Sequence, residues 1–185
     1  MRSQPRWRQH CCTSAGRARG KESARGKESA AESESLGFVE HAGYAACVAN
    51  EDLVRSIKEI IGRAKSGDTE GTYRGYRDLF ASPAFAGYRV EDQRQALQLM
   101  VLMKGAPSPA TATMVEAHRA AQGLLAGLVA SHAEPSDHEL LGICHVVLGD
   151  EASASTVFRA GLTIERARDP QSKLCGTLMK RVSMV

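Results

Sequence analysis

The sequence predicts an all-α protein. Three observations carry that reading. Aromatics make up only 5% of the chain, and Ala and Leu dominate an apolar set of 43%, which favours helices over a β-sandwich. Apolar residues recur at intervals of three and four over most of residues 50–185. Gly, Pro, Asp and Ser punctuate these stretches at close intervals, so the connections are short and neighbouring helices are expected antiparallel.

Two segments of different character divide the chain. Residues 1–35 hold eight Lys/Arg and four Glu, and residues 18–29 write ARGKES twice. Such a segment cannot bury enough apolar surface to offset the entropy of ordering, so 1–35 reads as a disordered, basic, low-complexity tail. Its Gly-Lys pairs are followed by Glu22 and Glu28, which excludes a phosphate loop. Residues 36–185 hold 16 basic and 17 acidic residues and read as one helical domain. Near-neutrality there argues against nucleic acid, which requires a clustered positive face.

Along that domain, Asn50 with Glu51 and Asp52 reads as a helix start, followed by Leu53, Ile57, Ile60, Ile61 and Ala64 on one face. One reading adds a partial helix over 36–47. Gly67-Asp68 ends the first helix and opens the second, which carries Tyr73, Tyr76, Leu79 and Phe80 up to Ser82-Pro83. A third helix is expected over about Glu91–Lys104, and its run Leu97 to Met103 is apolar almost all round and therefore expected to be central. Ser108 with Pro109 reads as the cap and first residue of a long fourth helix ending near Ser131. Ser136 with Glu139 reads as a capping box for the fifth. Gly149-Asp150 separates the fifth from the sixth, and Asp169-Pro170 opens a seventh with Leu174, Cys175, Leu178 and Val182 on one side.

Residues 141–162, LGICHVVLGDEASASTVFRAGL, carry a resemblance. Leu141-Gly142, His145, Leu148-Gly149-Asp150, Ala154, Phe158 and Gly161-Leu162 fall at the intervals of a tetratricopeptide repeat, and the stretch 138–164 resembles one such repeat. His138 stands where the family has Trp, and the Pro expected soon after the second helix comes only at Pro170. Gly142 and Ala154 are small where two helices are expected to cross, and Phe158 fills the space between hairpins. A fainter echo lies upstream, where Gly67-Asp68 precedes Tyr76-Arg77 as Gly149-Asp150 precedes Phe158-Arg159. The resemblance implies about three antiparallel hairpins stacked as a short array, closed by a C-terminal capping helix.

In that family the first helix of each hairpin lines a concave groove. Carried over, the groove residues are Glu139, Ile143, Val146 and Val147, with Val54, Ile57 and Ile61 on the same side by the upstream offset. Two readings of this apolar face stand side by side: a groove that receives a partner's amphipathic helix, or core covered by the rest of the chain. The spacing of four in Gly67, Gly71 and Gly75, and in Gly123 and Gly127, reads as close helix crossings.

The side chains that carry chemistry are sparse. Cys11, Cys12, Cys47, Cys144 and Cys175 are odd in number and lack a C-x-x-C, so neither a disulfide framework nor a zinc site is expected. His138 and His145, seven positions apart on one helix, stand about 10 Å apart along its axis, too far for one ion. No nucleophile elbow, zinc-protease motif or dinucleotide-binding glycine pattern occurs. The expectation is a non-catalytic protein–protein interaction module, adaptor- or chaperone-like, that binds a peptide or amphipathic helix. It uses no metal or cofactor, is cytoplasmic, and has neither nucleic acid nor membrane as partner; weak self-association is compatible with it. The competing expectation is an all-α enzyme or small-ligand regulatory domain, with a site assembled from residues such as His118, His145 and Glu139.

Overall fold

A computed structural model describes the backbone of residues 36–185 and the side chains from Glu51 onward. The tail expected over 1–35 lies outside the described residues, as do the side chains of 36–50. Among the described residues there are seven α-helices, one short 3-10 helix and no strand. The helices are α1 (Leu36–Lys65), α2 (Thr69–Ala81), α3 (Val90–Val101), α4 (Ala112–His132), α5 (Pro135–Val147), α6 (Glu151–Arg168) and α7 (Lys173–Val182). The 3-10 turn, Pro83–Gly87, follows α2.

The two Gly-Asp turns form as their residue types dictate. Gly67 and Gly149 take φ of +82° and +79°, the left-handed conformation in which a Cβ is strained. Asp68 and Asp150 then cap the next helices, accepting from the backbone N–H of Gly71 at 2.8 Å and of Ser153 at 3.0 Å.

Four cap assignments need correction. Asn50 lies inside α1, because 36–65 has no Pro and Asn costs a helix only a few tenths of a kcal/mol. The cap of α4 is Thr111, whose hydroxyl accepts from Met114 N–H at 3.3 Å, and not Ser108. Helix α5 begins at Pro135, whose fixed φ suits a first helical position, so Ser136 falls within the first turn and makes no box. Asp169 accepts from Gln171 N–H in a turn, and Ser172 caps α7.

Sequence neighbours pack as expected in α1 with α2, α5 with α6 and α6 with α7. The middle pair is looser: α4 packs chiefly on α2 and α5, and α3 lies lightly against both α4 and α5. Gly75 lets α2 approach α1, since a Cβ there would stand 2.8 Å from Ile60 Cγ1. Gly123 and Gly127 are exposed and face nothing within 4 Å, so no helix crosses α4 there. At the α5–α6 crossing, a Cβ on Gly142 would overlap the Phe158 ring, and one on Gly161 would stand 2.6 Å from His138 Cβ. Gly142 therefore makes room for Phe158, not for Ala154.

The core has two lobes. The larger joins Leu53, Ile57 and Ile60 of α1, the aromatic rings of α2, and the inner faces of α3, α4 and α5. Phe80, Phe85 and Tyr88 continue it as successive edge-on rings with centroids 5.1 and 5.9 Å apart. The smaller lobe holds Ala154, Phe158, Leu162, Cys175 and Leu178 between α6 and α7, and Ile143 packs against both.

His118 sits in the larger lobe, 1% exposed, with Nδ1 2.8 Å from Met114 O and its ring 6.1 Å from that of Tyr73. Burial pulls its pKa below the ordinary value, against the smaller opposing pull of the Met114 carbonyl. The unfolded chain thus takes up this proton first, near pH 6.5, while the fold resists it. Stability from this group is present above that pH and is lost as the pH falls through it. Urea midpoints should therefore drop between about pH 7.5 and about pH 5.5, with a smaller drop in His118→Gln. Equal slopes in both proteins would rule out a neutral, buried His118.

Candidate functional site

The face assigned to a groove is mostly closed. Ile57 is 1% exposed and belongs to the larger lobe, against which Ile61, Ile143 and Val147 also pack. Val54 is half-buried. Glu139 is buried, and its Oε1 lies 3.5 Å from Arg181 Nη2 on α7. Val146 alone is open, at 42%. Ile57 is thus core, whereas Ile61, Ile143 and Val147 are partly buried where neighbouring helices pack over the stripe.

The side chains weighed for a catalytic site are not assembled. His118 is committed to Met114 O, and Glu139 to Arg181. His145 Nδ1 lies 3.3 Å from Asp150 Oδ2 and 3.4 Å from Gln122 Nε2, which ties the α5–α6 turn to α4. Cys144 is fully buried, and burial pushes its thiol up to about 12, far from a reactive thiolate. Among the described residues no group of three or more His, Cys, Asp and Glu is placed to hold a metal ion.

Polar contacts at the helix joints are structural. Asp137, 1% exposed, accepts from Arg94 of α3, whose Nε lies 3.1 and 3.0 Å from its two oxygens. Glu134 receives Arg168 at 2.9 Å, and this hydrogen bond holds its carboxyl below the usual range. Buried Glu165 accepts from the Ser172 hydroxyl at 2.5 Å, joining α6 to α7.

The surface of the described residues carries open depressions, of which two adjoin α6. One of ≈ 340 Å³ lies on α5 and α6, lined by His145, Ala152, Ser153, Thr156 and Val157. The other, of ≈ 520 Å³, is a furrow between α6 and α7. Arg159, Leu162, Thr163 and Arg166 of α6 form one wall, at the spacing of a single helical face, and Met179 and Val182 of α7 form the other. Leu162 is a buried floor, and Met179 is 43% exposed. Arg159 and Arg166 are exposed and make no ion pair among the described residues.

No family model, no curated protein and no solved structure matches this chain. A small-molecule site buries most of its ligand in a concave pocket, whereas this furrow is open along its length and offers a mixed apolar and cationic wall. The furrow was not anticipated, although its signal was present: Arg159, Leu162, Thr163 and Arg166 repeat at three, four and seven, beside the Ala154–Phe158 stripe. Among the described residues no helix is long and apolar enough to cross a membrane.

Proposed function

We propose that the chain is a non-catalytic interaction module, a short tetratricopeptide-like helical array that binds an amphipathic helix of another protein. Its partner surface is the α6–α7 furrow and not the first-helix face. The observation that carries this reading is the half-exposed Met179 beside Leu162 and Val182, an apolar strip left open at the end of the array. A capping helix is expected to be polar on its outer side, yet Met179 of α7 stands 43% exposed and Met184, past its end, 76%. Methionine suits a surface that repacks on binding. An adaptor- or chaperone-like role in the cytoplasm fits this arrangement.

The test is the substitution Met179→Glu. In the free protein the side chain already meets water, so a charge costs little folding energy and the melting temperature should stay within a few degrees. Under a partner the same charge loses its water without compensation, and binding should be abolished. Capture from the source cells by wild type, compared with Met179→Glu and with the exposed control Val146→Glu, reads this directly. Undiminished capture by Met179→Glu removes the furrow as the site. A metabolite or metal that strongly raises the melting temperature, with no captured protein, would overturn the scaffold reading in favour of a ligand-binding domain.

A further inference from the structure

We propose that the furrow selects an acidic amphipathic helix, one whose apolar stripe is flanked by carboxylates about seven residues apart. This rests on the furrow being the binding surface and adds the chemistry of what occupies it.

Charge is left over on the furrow wall. Arg77, Arg89, Arg94, Arg168 and Arg181 each lie against a carboxylate of this chain. Arg159 and Arg166, on the wall of the furrow, have none among the described residues. Residues 151–185 hold six Lys/Arg and three Asp/Glu. Two of the six bases, Arg168 and Arg181, are met by Glu134 and Glu139 of α5. Of the three acids, Glu151 opens α6, Glu165 is turned inward to Ser172 and Asp169 lies in the turn after α6. The positive charge left over is therefore local to Arg159 and Arg166 on the furrow wall, where it attracts an anionic partner and disfavours a cationic one.

Geometry narrows the partner further. Arg159 and Arg166 are seven residues apart on one helix, so their Cα atoms stand about 10.5 Å apart along its axis. A helix lying along α6 presents carboxylates at the same interval when they too are seven residues apart. Between them the Leu162 floor and the facing wall of Met179 and Val182 receive aliphatic side chains. The furrow carries no aromatic ring on which a nucleobase could stack. A polypeptide is favoured over a nucleic acid for that reason.

The experiment uses the full chain and fluorescence anisotropy of labelled helical peptides of about 16 residues. One peptide has a Leu/Ala stripe flanked by Glu seven apart, a second replaces those Glu with Lys, and a third keeps the Glu but has Ser in the stripe. The Glu peptide should bind about tenfold more tightly than the Lys peptide, and more weakly as salt rises. The Arg159→Glu/Arg166→Glu protein should reverse that preference while melting as wild type does, because neither arginine has a partner to lose. Equal binding of the Glu and Lys peptides to wild type overturns the acidic partner and leaves the furrow standing. Equal binding of the Ser-stripe peptide removes the apolar floor, and with it the furrow reading itself. Failure of all three peptides to bind overturns the proposal, as does a single-stranded oligonucleotide that binds more tightly than the Glu peptide and displaces it.

Discussion

Truncating Phe158 to alanine should destabilise the fold by about 3–5 kcal/mol. The ring is 1% exposed and is the one aromatic in a lobe otherwise built from Ala154, Leu162, Cys175 and Leu178. It lies against Gly142, where the absence of a Cβ lets the ring meet the backbone of α5. Neither neighbour can move in to fill the gap. Gly142 has no side chain, and α5 and α6 are pinned by the Gly149-Asp150 turn at one end and Arg168–Glu134 at the other. Gly142→Ala tests the same contact from the other side. The new methyl would overlap a rigid ring, costing about 1–3 kcal/mol by overpacking, offset by up to about 1 kcal/mol of helix propensity. In the double variant the methyl enters the space the ring has left, so the combined loss should be smaller than the sum of the two. Urea denaturation followed by circular dichroism measures all three. A loss below about 1 kcal/mol for Phe158→Ala would mean that this ring is not the filler of the α5–α6 crossing.

What could be read from the sequence was local. Gly67-Asp68 and Gly149-Asp150 were legible because both halves of the signal, a left-handed residue and a cap for the next N–H, are written in adjacent letters. Asn50 and Ser136 carry equally good cap side chains, yet both fall inside helices. An uninterrupted Ala-rich run continues through the first, and Pro135 begins the helix before the second. Capping propensity of about 1 kcal/mol is readily overruled in this way. The apolar stripe through Ile57, Ile143 and Val147 was also legible as a stripe. Periodicity says that a face is apolar and not what lies on it, so core and groove read alike until the neighbouring helices are placed. The furrow depends on α7 meeting α6 at an angle that leaves Met179 and Val182 beside Arg159 and Arg166, and no local pattern encodes that angle. Pairings across 40 or more positions, such as Arg94 with Asp137 and Glu139 with Arg181, leave no mark in sequence spacing at all.

Arg94→Ala should cost about 3–5 kcal/mol, because it strands a charge and not because the ion pair itself is strongly stabilising. Asp137 is 1% exposed, and Arg94 reaches both of its oxygens, with Nε at 3.1 and 3.0 Å and Nη2 at 2.9 Å from Oδ2. Arg94 itself is a quarter exposed. Its removal opens a path for some water, which places the cost at the lower end of that range. The consequence is local as well as global, since α3 lies only lightly on α4 and α5 and this pair is its polar tie to α5. Arg94→Lys should recover only part of the loss, because a compact ammonium on a different stem does not reproduce the Nε–H placed between the two carboxylate oxygens. The informative comparison is Arg94→Met with Asp137→Leu in one chain. If the penalty comes from a stranded charge, the double variant should regain most of the stability lost in Arg94→Ala, although two polar groups have been deleted. If instead the pair holds α3 in place by its own strength, the double variant should be as unstable as either single one. Amide hydrogen exchange over 90–101 would then show α3 opening independently of the other helices.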